Sequence, residues 1–177
     1  MSRIPLASIE DQPEPIRQWM ARRGNLNVFR LLANAPNVFP GWTQMVDELF
    51  ASPTFSRRMR EVVILRVARL QNSPYELGQH IGLARDAGLT EQQISAIVET
   101  EDFEAAGFSA TERIALDVTT ELCRTHRWAD DTFAKAHAVF GDEALTELLM
   151  VISCYYGLAL VLNAADLDVD VTARFQP

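Results

Sequence analysis

Arg57-Arg58-Met59-Arg60-Glu61-Val62-Val63-Ile64-Leu65-Arg66-Val67-Ala68-Arg69-Leu70 is the stretch on which the fold turns. At about 100° per residue, Met59, Val62, Val63, Ile64, Leu65, Val67, Ala68 and Leu70 cover nearly the whole circumference, the pattern of a helix buried on most sides. Ser56 stands ahead of it as an N-cap. Glu61 falls between Ile64, Leu65 and Ala68, where a carboxylate is expensive unless something pairs with it or uses it. A pairing with Arg57 or Arg58, one turn back, is the plain alternative and contributes about 0.3 kcal/mol if exposed.

The next segment, Ser73-Pro74-Tyr75-Glu76-Leu77-Gly78-Gln79-His80, opens a second helix. Ser at the N-cap, Pro at the first helical position and Glu at the third make a capping box, which needs no catalysis. Glu76 and His80 are also four apart, so both point into the same space. Glu61, Glu76 and His80 are thus three ionisable groups on consecutive helices in apolar surroundings, and they form the candidate acid-base site. Tyr75, in the turn beside them, is a candidate to offer its hydroxyl to a substrate, with ordinary packing as the alternative.

Further out, helical periodicity continues and strand alternation is absent, so the chain reads as all-α. Start signals stand at Thr90 with Gln93 before Ile94 to Glu99, and at Ser109 with Glu112 before Ile114 to Cys123. Gly88 is the expected stop after Ile81 to Ala87, and Gly141 after Phe133 to Phe140. Shorter helices are expected at Glu14 to Arg23, Leu26 to Ala35 and Trp42 to Ala51. Ser56 to Gly88 and Ser109 to Gly141 share a spacing of 32 residues, an echo consistent with two weakly related helical halves. The expected organisation is one domain over residues 1–177: an N-terminal helical extension (1–55), a motif-bearing core (56–99) and a second half (109–165).

Composition narrows the function. With 177 residues and a net charge of -8, and Lys or Arg only in short groups, nucleic acid is excluded as a partner. The N-terminus lacks the basic-then-apolar order of a secretory signal, so the protein is expected to be cytoplasmic. Leu148 to Ala165 holds 18 residues without a charge, long enough to span a bilayer. Its flanks, Glu147 and Asp166, supply no basic anchor, so a buried core or oligomer helix is expected rather than a membrane span. Cys123 and Cys154 do not form a CxxC and read as small core residues. His80, His126 and His137 are scattered, so no metal site is expected. A di-metal carboxylate bundle wants Glu-x-x-His twice, whereas here Glu-x-x-x-His occurs once.

The segment Arg60 to Ala68, then Tyr75 to His80, then Ala84 with Ala87-Gly88-Leu89-Thr90-Glu91-Gln92-Gln93-Ile94, resembles the core of the carboxymuconolactone decarboxylase and AhpD-like alkylhydroperoxidase superfamily. The resemblance covers about residues 56–99 and implies an AhpD-like helical bundle. In the peroxidase branch a Glu is followed by a CxxC and by a His four residues after the second cysteine. Glu61 and His80 stand at the Glu and His positions, but Ser73 and Glu76 stand where the cysteines would be. A hydroxyl and a carboxylate do not cycle between thiol and disulfide, so two-cysteine peroxide reduction cannot run there.

The decarboxylase branch also lacks the CxxC and carries the Glu-x-x-x-His that Glu76 and His80 reproduce. That resemblance implies acid-base chemistry on a small carboxylated or lactone substrate, in a homo-oligomer, without organic cofactor or metal. His80 would give or take the proton, and Glu76 or Glu61 would orient it. On this reading His80→Ala abolishes turnover and leaves the fold intact. Two alternatives stand beside it: an AhpD-like antioxidant protein using Cys123 or Cys154 as a displaced thiol, and a non-enzymatic ligand-binding oligomer in which the cluster is a cap plus ion pairs.

Overall fold

The computed structural model describes residues 2–170, and among them the regular structure is helical throughout. The chain groups into two units, one formed by residues up to Ala51 together with those from Val161, the other by Ser52–Leu160.

The first unit holds α1 (Glu14–Arg22), α2 (Asn27–Leu32) and α3 (Phe39–Ala51). Helix α3 starts three residues before the expected Trp42, with Pro40 in its first turn, where a missing N–H costs nothing. Trp19 is the hub of this unit: it packs edge-on against Phe29 at 4.8 Å and Phe39 at 5.9 Å between ring centroids. Its indole Nε1 donates to both Asp47 oxygens, at 3.0 and 2.9 Å, while Arg23 pairs with the same carboxylate and lies over the indole at 4.4 Å. Asp47→Ala would leave the N–H of a tryptophan that is only 5% exposed without an acceptor. The expected loss is about 1–3 kcal/mol by urea denaturation, with Asp47→Asn recovering most of it.

The second unit is built on α4 (Arg57–Leu70), α5 (Pro74–Asp86), α6 (Glu91–Ser95), a π-helical turn (Ala96–Thr100), α7 (Ala110–Thr125) and α8 (Asp130–Ala165), whose last five residues group with the first unit. Every residue from Arg60 to Ala68 is buried, as the near-complete apolar wheel requires. Ser56 caps α4 by accepting from the Met59 N–H, and both Thr90–Gln93 and Ser109–Glu112 form complete capping boxes. Helix α5 ends as expected at Gly88, whose φ of +89° suits a residue without Cβ, and the Leu89 N–H closes back on the Ala84 carbonyl.

Two local expectations fail. The helix after Thr90 does not run evenly to Glu99: it widens into the π turn after Ser95. Ser73 occupies the N-cap of α5 yet makes no side-chain capping bond, and its N–H, which a capping box would give to the Glu76 carboxylate, goes to the Ala68 carbonyl at 2.9 Å. Gly141 stops the helix that holds Phe133 to Phe140, as expected: its φ of 66° and ψ of -178° are non-helical, and a second helix follows across the kink within Asp130–Ala165.

Arg58 fixes the second unit's framework. Its Nε donates to Glu112 at 2.7 Å, its Nη2 to Gln93 at 2.9 Å and its Nη1 to the Gly88 carbonyl, so α4 is pinned to the end of α5 and the starts of α6 and α7. This removes Arg58 as the partner proposed for Glu61. The charge-free half of α8 is long and apolar enough to cross a membrane by length and composition. Within it Leu148, Val151, Ile152, Tyr155, Ala159 and Leu162 are buried at helical spacing, which is the face of a core helix.

Candidate active site

Two adjoining helices bring the site together. Glu61, in the second turn of α4, is 1% exposed, and His80, in the second turn of α5, is 6% exposed. The His80 Nδ1 lies 2.8 Å from Glu61 Oε2. A carboxylate oxygen accepts, so Nδ1 carries the proton. Of the two acids that the sequence offered to orient His80, the structure selects Glu61. The sequence distance of nineteen residues hides this pair, and the packing of α4 on α5 creates it.

Glu76 behaves differently. It is 2% exposed, both carboxyl oxygens lack a hydrogen-bond partner, and so does the fully buried Ser73 hydroxyl. Burial pushes the Glu76 carboxyl up to about 8, and the nearby Ser73 hydroxyl, outside hydrogen-bond geometry, opposes this only weakly. Glu76 is therefore a neutral acid at pH 7, able to donate a proton or a hydrogen bond. Tyr75, in the same first turn, is buried at 4% exposure.

Other groups surround the pair, the first of them from the second half of the chain. Tyr155, from α8, sets its ring edge-on to the His80 imidazole with centroids 5.1 Å apart. Its phenol is pushed well above the ordinary value by burial first, then by the charges of Glu61, Cys154 and Glu76, with Arg60 opposing. Arg60, 4% exposed, is drawn down by burial and back up by Glu61 and by Tyr155, which places a cation beside Glu61. Cys154 sits within the field of Glu76, and burial raises its thiol to about 11. Cys123 is raised to about 11 as well. In sequence, Tyr155 is one aromatic in an apolar run; only its place on the buried stripe of α8 could have flagged it.

The described residues form an all-helical fold with a buried Glu–His pair and a second buried carboxylic acid, and that fold is of AhpD type. Residues 36–121 match the profile of the carboxymuconolactone decarboxylase family. The fold of the chain is shared by solved structures at low sequence identity. An AhpD-core, peroxidase-related protein from Ralstonia eutropha JMP134 superposes with a TM-score of 0.84 at 18% identity, over 96% of this chain and 93% of that one. A peroxidase-related protein from Silicibacter sp. TM1040 gives 0.83 at 17% identity, over 96% and 92%. The debrominase Bmp8, in complex with 2,3,4-tribromopyrrole, gives 0.79 at 15% identity, over 97% and 95%. No curated protein sequence matches the chain.

Proposed function

We propose that this protein is a small-molecule enzyme of the carboxymuconolactone decarboxylase type, acting in the cytoplasm on a carboxylated or lactone substrate. The observation that carries this reading is the buried His80–Glu61 hydrogen bond of 2.8 Å, with a buried Glu76, whose carboxyl oxygens make no hydrogen bond, one turn before His80 on the same helix. Loss of CO2 breaks the bond from carbon to carboxylate and leaves the electron pair on carbon, conjugated with the lactone or carbonyl oxygen. Glu76, protonated at neutral pH, donates a hydrogen bond to that oxygen as negative charge gathers on it. His80 delivers a proton to the carbon through Nε2, and Glu61 steadies the imidazolium while it exists. Arg60 supplies the positive charge that draws a carboxylated substrate into a chain of net charge -8. A relative of this fold holds a small ring compound, 2,3,4-tribromopyrrole, which is the size of ligand this chemistry needs.

A thiol route is the less favoured reading. Both thiols are raised to about 11, so each is almost wholly protonated at neutral pH and a poor nucleophile. The protein would work as a homo-oligomer, with Met150, Ser153, Gly157 and Leu160, the exposed stripe of α8 beside an apolar groove of about 500 Å³, between copies.

Carbon dioxide release from a panel of carboxylated lactones tests the reading. His80→Gln, which keeps a polar partner for Glu61, is expected to slow turnover by about 10²–10⁴, whereas Cys123→Ser with Cys154→Ser should leave it unchanged. Peroxide consumption that disappears in the double serine variant, with no CO2 from any lactone, would replace this function with the thiol one.

A further inference from the structure

Away from the acid-base site, the end of α4, the π turn and the end of α7 enclose a cleft of about 240 Å³ lined by Arg69, Leu70, Asn72, Glu101 and Arg124. Its chemistry is dominated by guanidinium groups. Arg66 and Arg69 lie three apart on α4, and Arg124 comes from the last turn of α7. A single carboxylate in the cleft answers them. Glu101 takes the Arg66 guanidinium at 3.1 Å and Arg124 Nη2 at 3.2 and 3.3 Å, and the two cations hold its carboxyl below the ordinary range.

The donors outnumber what Glu101 can accept. Arg66 has no exposed side-chain surface, bonds Thr120 Oγ1 through Nε at 2.8 Å and lies 5.1 Å from the Phe103 ring, yet its Nη2 has no partner. A buried guanidinium nitrogen without an acceptor is costly to keep. Arg69 uses Nε on the Val98 carbonyl at 2.6 Å and Nη1 on Asn72 Oδ1 at 3.3 Å, and Arg124, with 56% of its side chain exposed, spends only Nη2 on Glu101. Asp117, on α7, feels the charge of Arg66 but does not line the cleft.

The backbone here is held in unusual conformations. Asn72 and Glu101 have φ of 49° and 59°, in the left-handed region that side chains disfavour, and Glu101 directly follows the π turn. Extra residues in a helical turn and left-handed side-chain-bearing residues both gather at functional sites. In a chain of net charge -8, a cleft with a local excess of positive charge is selective for anions.

We propose that this cleft binds a small dianion of phosphate type, held by the outer guanidinium nitrogens of Arg69 and Arg124 and by the Asn72 amide. Glu101 is the counter-charge that holds the guanidinia together when the cleft is empty. The arginine forks match a phosphate in two parallel bonds, and the volume suits a phosphate or a small phosphate ester rather than a drug-sized ligand. The site is separate from the Glu61–His80 pair, and its test does not depend on any decarboxylase activity.

Calorimetric titration of the intact protein at low salt, with inorganic phosphate and separately with glycerol 3-phosphate, decides it. Saturable binding that weakens with added NaCl is expected, and Arg69→Gln with Arg124→Gln should weaken it roughly tenfold or more. Asn72→Gly provides a second variant that keeps the left-handed backbone without strain and removes the amide, so severalfold weaker binding is expected there too. Equal binding of both probes would identify the free ion as ligand, and tighter binding of the ester would identify a phosphate carried on a small molecule; either supports the site. No saturable binding at tens of millimolar, or unchanged affinity in both variants, would overturn it. So would a change in sedimentation on removing the arginines without any change in phosphate binding, which would assign the cleft to an acidic protein partner.

Discussion

His80→Ala is expected to lower the free energy of unfolding by about 3–5 kcal/mol as well as to stop turnover. The change leaves the Glu61 carboxylate, 1% exposed and inside an apolar helix, without the hydrogen bond that now compensates it. Breaking one side of a buried pair costs more than the pair itself contributes, because the remaining charge stays desolvated. This revises the expectation from sequence that the alanine variant would keep its fold intact. Urea denaturation of His80→Ala, and of His80→Ala combined with Glu61→Gln, separates the two effects: the double variant should regain a substantial part of the loss, since no charge is then stranded. A His80→Ala protein within about 1 kcal/mol of the parent would mean that the pair does not exist in solution.

Glu76→Gln is expected to make the protein more stable at alkaline pH and to flatten its pH dependence. Folding raises the Glu76 carboxyl from its ordinary 4.5 to about 8, through burial. Between those values the folded chain holds a proton that the unfolded chain has released. Stability is therefore unaffected by this group below pH 4.5 and falls as pH rises through the window to about 8, by at most about 1.4 kcal/mol per pH unit. Above that the penalty is constant. Glutamine has no proton to lose, and its own cost, an amide without partners, is on the order of 1–3 kcal/mol and independent of pH. Thermal unfolding of both proteins from pH 5 to 9 should show curves that cross, with the variant ahead at the alkaline end. Glutamine also keeps an N–H to offer a substrate oxygen, so the variant should retain activity at pH 7 and lose the alkaline decline of kcat. Parallel stability curves would show that Glu76 is already ionised when folded, and would remove it as a hydrogen-bond donor.

Much of the architecture follows from local pattern. The all-round apolar wheel of Arg57 to Leu70 can only be a buried helix, and the boxes at Thr90 and Ser109 start helices because a hydroxyl and an amide or acid three residues on satisfy the same two backbone groups anywhere. The three ionisable residues were legible for a similar reason: charge within an apolar run is conspicuous in one dimension. Local pattern misled where a residue had two competing uses. Ser73 and Glu76 have capping-box spacing, yet Glu76 is drawn into the interior and the box does not form.

The sequence by itself determined that this chain is helical, that α4 is its buried centre, and that Glu61, Glu76 and His80 are ionisable groups set among apolar helical neighbours, because periodicity, caps and stray charge are properties of neighbours along the chain. Only the tertiary structure decided which acid serves His80, that Glu76 stands neutral and unpartnered, and that Arg60 and Tyr155 stand in the same electrostatic neighbourhood. Those outcomes depend on desolvation and on contacts between helices far apart in sequence, and a carboxylate's charge state is set by what surrounds it in space.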